Sequence, residues 1–140
     1  MPVLQKGVAA VANKMPKVIS PKVHAIIDYA VIGMWGLVAA RAWGGNKRAA
    51  IGAIACGGAQ LATVLMTDFP GGVAGVISFR THGKIDMGLA AGATVLPEVL
   101  GITDDREAKW FRILGLNITT ETAMTDFGQG RRRVDERRAA

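Results

Sequence analysis

The chain repeats itself. Sliding the 140-residue sequence against itself by 58 positions aligns His24 with His82, Ile27 with Ile85 and Asp28 with Asp86. At the same offset Arg48 meets Arg106, Gly57 meets Gly115, and Met66-Thr67-Asp68-Phe69 meets Met124-Thr125-Asp126-Phe127 without a gap. A tetrapeptide identity in register with a separate H-x-x-I-D match marks an internal duplication, residues 22–69 and again 80–127. Whatever one copy folds into, the other must also be able to adopt.

Each copy reads as a pair of helices. Ser20-Pro21 is a good N-cap and first-turn pair for the first helix, which runs to about Trp43 and stops at Gly44-Gly45. Asn46 is placed to cap a second helix reaching about Asp68. Thr81 is the expected cap of a third, ending near Gly101, and Asp104 with Glu107 forms a capping-box pattern for a fourth that ends near Asp126. The division that follows is an N-terminal segment 1–19, hairpins 20–69 and 81–127 joined by a linker 70–80, and a basic tail 128–140. Within 3–18, Leu4, Val8, Val11, Met15 and Val18 fall at helical spacing among Lys6, Lys14 and Lys17, the pattern of an amphipathic interfacial helix that Met15-Pro16 ends or kinks.

Helices of about 30 Å are long enough to cross a bilayer core. Half the residues are hydrophobic, the mean hydropathy is +0.27, and glycine is abundant at 18, as in helices packed through small residues within a membrane. Residues 49–67 form a run of 19 without a charge. The expected fold is therefore all-α: a bundle of four transmembrane helices, two tandem hairpins related by a pseudo-twofold along the membrane normal. With an even number of helices per copy, both termini and the linker share one side. That side carries eleven Lys and Arg against five on the side of the hairpin loops, which places it in the cytoplasm, as expected of a multi-pass protein of an inner (cytoplasmic) membrane. The basic ends suit anionic lipid. Nucleic acid is not an expected partner, because the basic residues are not interleaved with aromatics and no recognition helix appears.

The parity argument has a chemical consequence. His24, Asp28, Asp68, His82, Asp86 and Asp126 all fall near the cytoplasmic face, with each His and Asp at i, i+4 on one side of its helix. Asp68 and Asp126 oppose the dipole at a helix C-terminus and are expected to pair with the histidine of their own hairpin. Two readings stand side by side: a clamp closing each hairpin, or a shared site for a divalent metal, a proton or a polar head group. Axial haem ligation by His24 and His82 has less to support it, since both lie near a surface and no attachment motif is present. No cofactor is required by the sequence.

Glu98, Arg112, Asn117 and Glu121 of the second copy face Ala40, Ile54, Ala59 and Thr63 of the first. They are candidates for an intramembrane ion pair or for contact with another membrane subunit. Gly33, Gly36, Gly88 and Gly92 offer small faces for helix packing, internal contact being the common use of such spacing. Cys56, alone in an apolar run, reads as a packing residue. No cleavable signal peptide is expected from the N-terminal residues. No nucleophile elbow, phosphate loop, dinucleotide fingerprint or zinc-protease motif is present. An accessory or scaffold subunit without catalytic activity is the leading expectation, a metal-, proton- or lipid-binding membrane protein the alternative.

H-x-x-I-D heading a Gly/Ala-rich apolar helix, T-D-F one hairpin later, and a second H-x-x-x-D helix together resemble the SPW-repeat-like small bacterial membrane proteins. The resemblance spans about 22–127 and rests on His24, Asp28, Thr67, Asp68, His82 and Asp86. The Ser-Pro-Trp signature is absent: the corresponding stretches read Ala-Arg-Ala-Trp at 40–43 and Leu-Pro-Glu at 96–98. The resemblance implies architecture and location, not activity.

Overall fold

A computed structural model describes residues 14–128 continuously, together with 6, 7, 10 and 139. The amphipathic segment expected at 3–18 and the basic tail at 128–140 lie largely outside the described residues. Within them the chain is all-α: α1 (Pro21–Ala42), α2 (Lys47–Met66), α3 (Phe79–Leu100) and α4 (Ala108–Met124), with two short strands, β1 (Thr67–Asp68) and β2 (Ile77–Ser78). Two of the helices, α1 and α2, are long and apolar enough to cross a membrane.

Capping explains the helix starts and corrects two of the expected ones. Ser20 Oγ accepts from Val23 N, and its counterpart Ser78 accepts in the same way from Thr81 N. The cap of α3 is therefore Ser78 rather than Thr81, and the helix begins at Phe79. Asn46 Oδ1 accepts from Ala49 N, as expected. The capping box at Asp104 and Glu107 does not form. Instead, the carboxylates of Asp105 and Glu107 both accept from the Asn46 side-chain amide. The turn at 101–107 is thereby tied to the other hairpin loop, and α4 starts without a side-chain cap.

Each hairpin closes on a glycine. A Cβ at Gly57 would lie 2.8 Å from Trp35 Cβ, and one at Gly115 would lie 2.5 Å from Thr94 Oγ1 and 2.9 Å from the Ala90 carbonyl. These repeat-related glycines let α1 meet α2, and α3 meet α4, at close range. Trp35 and Phe111 fill the centre, 5.3 Å apart between ring centroids, against the alanines 50, 53, 90 and 93. Gly33, Gly36, Gly88 and Gly92 do not take part: they face outward with nothing near a Cβ position.

The two copies are joined at one end. β1 pairs in parallel with β2, Thr67 opposite Ile77, and an isolated parallel bridge joins Ile19 to Thr125. Both pairings link the end of one hairpin to the approach to the other, and they are the same pairing 58 residues apart. Helices α2 and α4 therefore stop at Met66 and Met124, each followed by extended backbone.

The outer faces of the two copies differ: α3 and α4 expose Lys84, Glu98, Lys109, Arg112 and Asn117, whereas α1 and α2 are apolar outside. Every exposed residue of α1 from 23 to 40 and of α2 from 51 to 66 is uncharged, and the one polar side chain among them, Tyr29, donates its hydroxyl to the Gly71 carbonyl. The hydroxyls of Thr63, Thr94, Thr119 and Thr120 donate to the carbonyl four residues back, so they need no water. The ionisable residues His24, Asp28, His82, Asp86 and Glu121 are buried instead.

Candidate functional site

The α1 and α3 N-termini cross at the joined end of the bundle, one turn in from the Ser20 and Ser78 caps. The i, i+4 spacing puts His24 with Asp28 and His82 with Asp86 on inward faces. All four are at most 1% exposed. His24 Nε2 and His82 Nε2 are 3.3 Å apart. The Asp28 Oδ2 atom lies 3.4 Å from His24 Nε2 and 3.2 Å from His82 Nε2, and Asp86 Oδ2 lies 3.3 and 3.0 Å from the same atoms. Each carboxylate touches both histidines, so the unit is a single four-residue centre rather than two hairpin clamps.

Asp68 and Asp126 do not join it, contrary to the expected pairing with the histidine of their own hairpin. The reason is the backbone after each helix. Thr67 has φ −85° and ψ 141°, and Thr125 has φ −83° and ψ 135°. Extended residues alternate sides, so Thr67 and Phe69 point in and Asp68 points out. The same alternation turns Thr125 and Phe127 inward and Asp126 outward.

The threonines take the place that the aspartates were expected to fill, and they do so across the copies. His24 Nδ1 is 2.8 Å from Thr125 Oγ1, and His82 Nδ1 is 2.8 Å from Thr67 Oγ1. Thr67 Oγ1 donates its proton to the Thr63 carbonyl at 2.6 Å, and Thr125 Oγ1 donates to the Glu121 carbonyl at 2.7 Å. A hydroxyl has one proton to give. With that proton committed, each threonine oxygen accepts, and each histidine must be N–H at Nδ1. Each Nε2 then faces the centre and has a lone pair to give where its imidazole is neutral. Asp28 Oδ2 and both carboxylate oxygens of Asp86 have no hydrogen bond of good geometry. Two imidazole nitrogens and two carboxylates thus converge out of reach of solvent, and the buried carboxylates cost several kcal/mol unless positive charge, as protons or a metal, sits among these groups. Each residue offers one ligand atom, and these lie within 4.8 Å of one another, close enough to hold a metal ion.

The surroundings are not identical in the two copies. Gln60 Nε2 donates to Asp28 Oδ1 at 3.1 Å. The residue in the matching place for Asp86 is Ile118, which leaves Asp86 Oδ1 free. Glu121, where the first copy has Thr63, is 4% exposed, and its Oε1 lies 3.4 Å from His24 Nδ1. It belongs to the centre, not to a partner contact. Glu98 and Arg112 form an exposed ion pair at 2.8 Å near the far end of α3, and Asn117 faces outward.

Phe69, Phe79 and Phe127 close over the histidines. The His24 ring meets Phe79 edge-on at 5.3 Å and Phe127 at 5.8 Å, and Phe69 lies 5.1 Å from the His82 ring. Gly83 makes room: a Cβ there would lie 2.5 Å from the Phe127 ring. Sequence reading passed over these aromatics and both threonines as site residues, although Thr67/Thr125 and Phe69/Phe127 are part of the repeated Met-Thr-Asp-Phe. Gln60 has no repeat counterpart and so gave no signal. The chain was compared with protein-family models, with curated proteins and with solved structures, and none of the three comparisons gives a match.

Proposed function

We propose that this is a small integral membrane protein whose two copies jointly hold a cation at the His24/Asp28/His82/Asp86 centre. The observation that carries the reading is the buried centre itself: two carboxylate oxygens each lie within 3.4 Å of both imidazole Nε2 atoms, and each imidazole is fixed through its Nδ1–H on a threonine of the other copy. The uncharged outer faces of α1 and α2 and the buried ionisable centre support membrane insertion, since ionisable residues in membrane helices face the bundle interior while apolar ones meet lipid. In this reading all four helices span, with the pseudo-twofold axis along the membrane normal through the cation. The charge count puts the centre and both termini at the cytoplasmic face. The resemblance to SPW-repeat-like proteins points the same way in architecture and location, toward duplicated hairpins in a membrane; with no catalytic motif in the sequence, the protein serves as an accessory subunit in a membrane assembly.

The test uses full-length protein in mild detergent. It should stay with membranes through an alkaline wash. Its melting temperature should fall when cations are removed by a chelator and recover when they are restored. A melting temperature unchanged by chelation and by restored cations sinks the cation reading. Release by the alkaline wash sinks the membrane one.

A further inference from the structure

Resting on the cation reading, we propose that the cation is a divalent transition metal of the zinc class, bound tetrahedrally by His24 Nε2, His82 Nε2, Asp28 Oδ2 and Asp86 Oδ2. The geometry favours this occupant. Both Nε2 atoms and both Oδ2 atoms come together, with five of their six separations between 3.0 and 3.4 Å. Edges of that length in a tetrahedron leave a central ion about 1.8–2.1 Å from each corner, near the roughly 2.0–2.2 Å of zinc bonded to imidazole nitrogen and carboxylate oxygen. Calcium needs oxygen ligands at about 2.3–2.6 Å and more of them, and magnesium keeps an octahedral shell with several waters. Two imidazoles in a dry pocket suit neither. Two protons in place of a metal would set two imidazolium edges 3.3 Å apart, a repulsion that a single dication avoids. The dication also offsets the charges of both ligand aspartates in a centre that holds a third buried acid, Glu121.

The outer groups are those of a metal site. Each histidine gives its far N–H to a fixed acceptor, Thr125 or Thr67, which holds the ring in its plane and selects the Nε2 lone pair. Gln60 orients Asp28 in the same way. Ligands come equally from α1 and α3, so the metal joins the two copies where their helices begin.

The experiment is zinc titration of the chelator-stripped full chain in detergent against a competing chelator, with elemental analysis of protein purified from its own membranes. Wild type should bind one zinc per chain, and cobalt should give the intense visible bands of a four-coordinate ion. Asp86→Asn, close in shape, should lose more affinity than the roughly 10–100-fold that an outer-shell change costs, as should His82→Ala. Asp126→Asn, outside the centre, should bind as wild type does. Zinc bound equally by wild type and His82→Ala, or a six-coordinate cobalt spectrum, overturns the proposal. If zinc does not bind yet another cation restores the stability lost on chelation, the proposal fails while the cation reading stands.

Discussion

Thr67→Val and Thr125→Val are the same substitution made in two copies, and they should not have the same effect. Valine keeps the branched shape of threonine and removes only the hydroxyl. In Thr67→Val the His82 Nδ1–H loses its acceptor at 2.8 Å, and no carboxylate stands ready to replace it, because the position matching Glu121 is Thr63. A fully buried N–H without a partner costs about 1–3 kcal/mol. The loosened ring should also weaken zinc by about 10–100-fold. In Thr125→Val, His24 Nδ1–H still has Glu121 Oε1 at 3.4 Å and can turn to it, so the loss should be less than about half as large. Unfolding of both variants in one detergent, with and without zinc, measures the difference. A Thr67→Val protein within about 0.5 kcal/mol of wild type, or a larger loss in Thr125→Val, would refute the tautomer assignment on which the centre rests.

Other substitutions separate inward from outward positions. Gly115→Ala presses a Cβ onto the Ala90 carbonyl at 2.9 Å, where backbone cannot give, and should cost about 1–3 kcal/mol; Gly88→Ala and Gly92→Ala point into open space and should be neutral or stabilising by up to about 1 kcal/mol, as read from thermal unfolding in detergent. Gly83→Ala should displace Phe127 from His24, raising the exchange rate of bound zinc more than it lowers stability, which stopped-flow chelation can follow. Cys56, half-buried in the middle of α2, should resist a membrane-impermeant maleimide in intact vesicles and react once the protein is unfolded in detergent.

Much of this was legible in the sequence, because a duplication constrains both halves at once. The 58-residue offset located both hairpins, both His–Asp pairs, and the end of the bundle they share. What sequence reading misplaced was the stretch after α2 and α4. Asp68 and Asp126 were expected to face the histidines because they close helices, but one extended residue before each reverses the side, and the unobtrusive Thr67 and Thr125 take the inward place. Helical periodicity carries no warning of that switch; it becomes visible only with the Thr67–Ile77 and Ile19–Thr125 pairings. The start of α3 was misjudged for a related reason. Thr81 is a good cap residue in isolation, yet Ser78 is the counterpart of Ser20, and following the repeat rather than local propensity would have chosen it. Gln60 lies beyond reach, since it occurs in one copy alone; Glu121 stands out for that same reason as a candidate ion-pair or partner-contact residue, but its place beside His24 depends on which neighbour the fold brings to it.

The centre is tested most directly by X-ray absorption at the metal edge of zinc-loaded protein. Four nitrogen and oxygen neighbours at about 2.0–2.1 Å, with the outer-shell scattering of two imidazoles that disappears in His24→Ala and His82→Ala, is the expected spectrum. A shell of six oxygens, or one without imidazole, would contradict a metal held between the two copies.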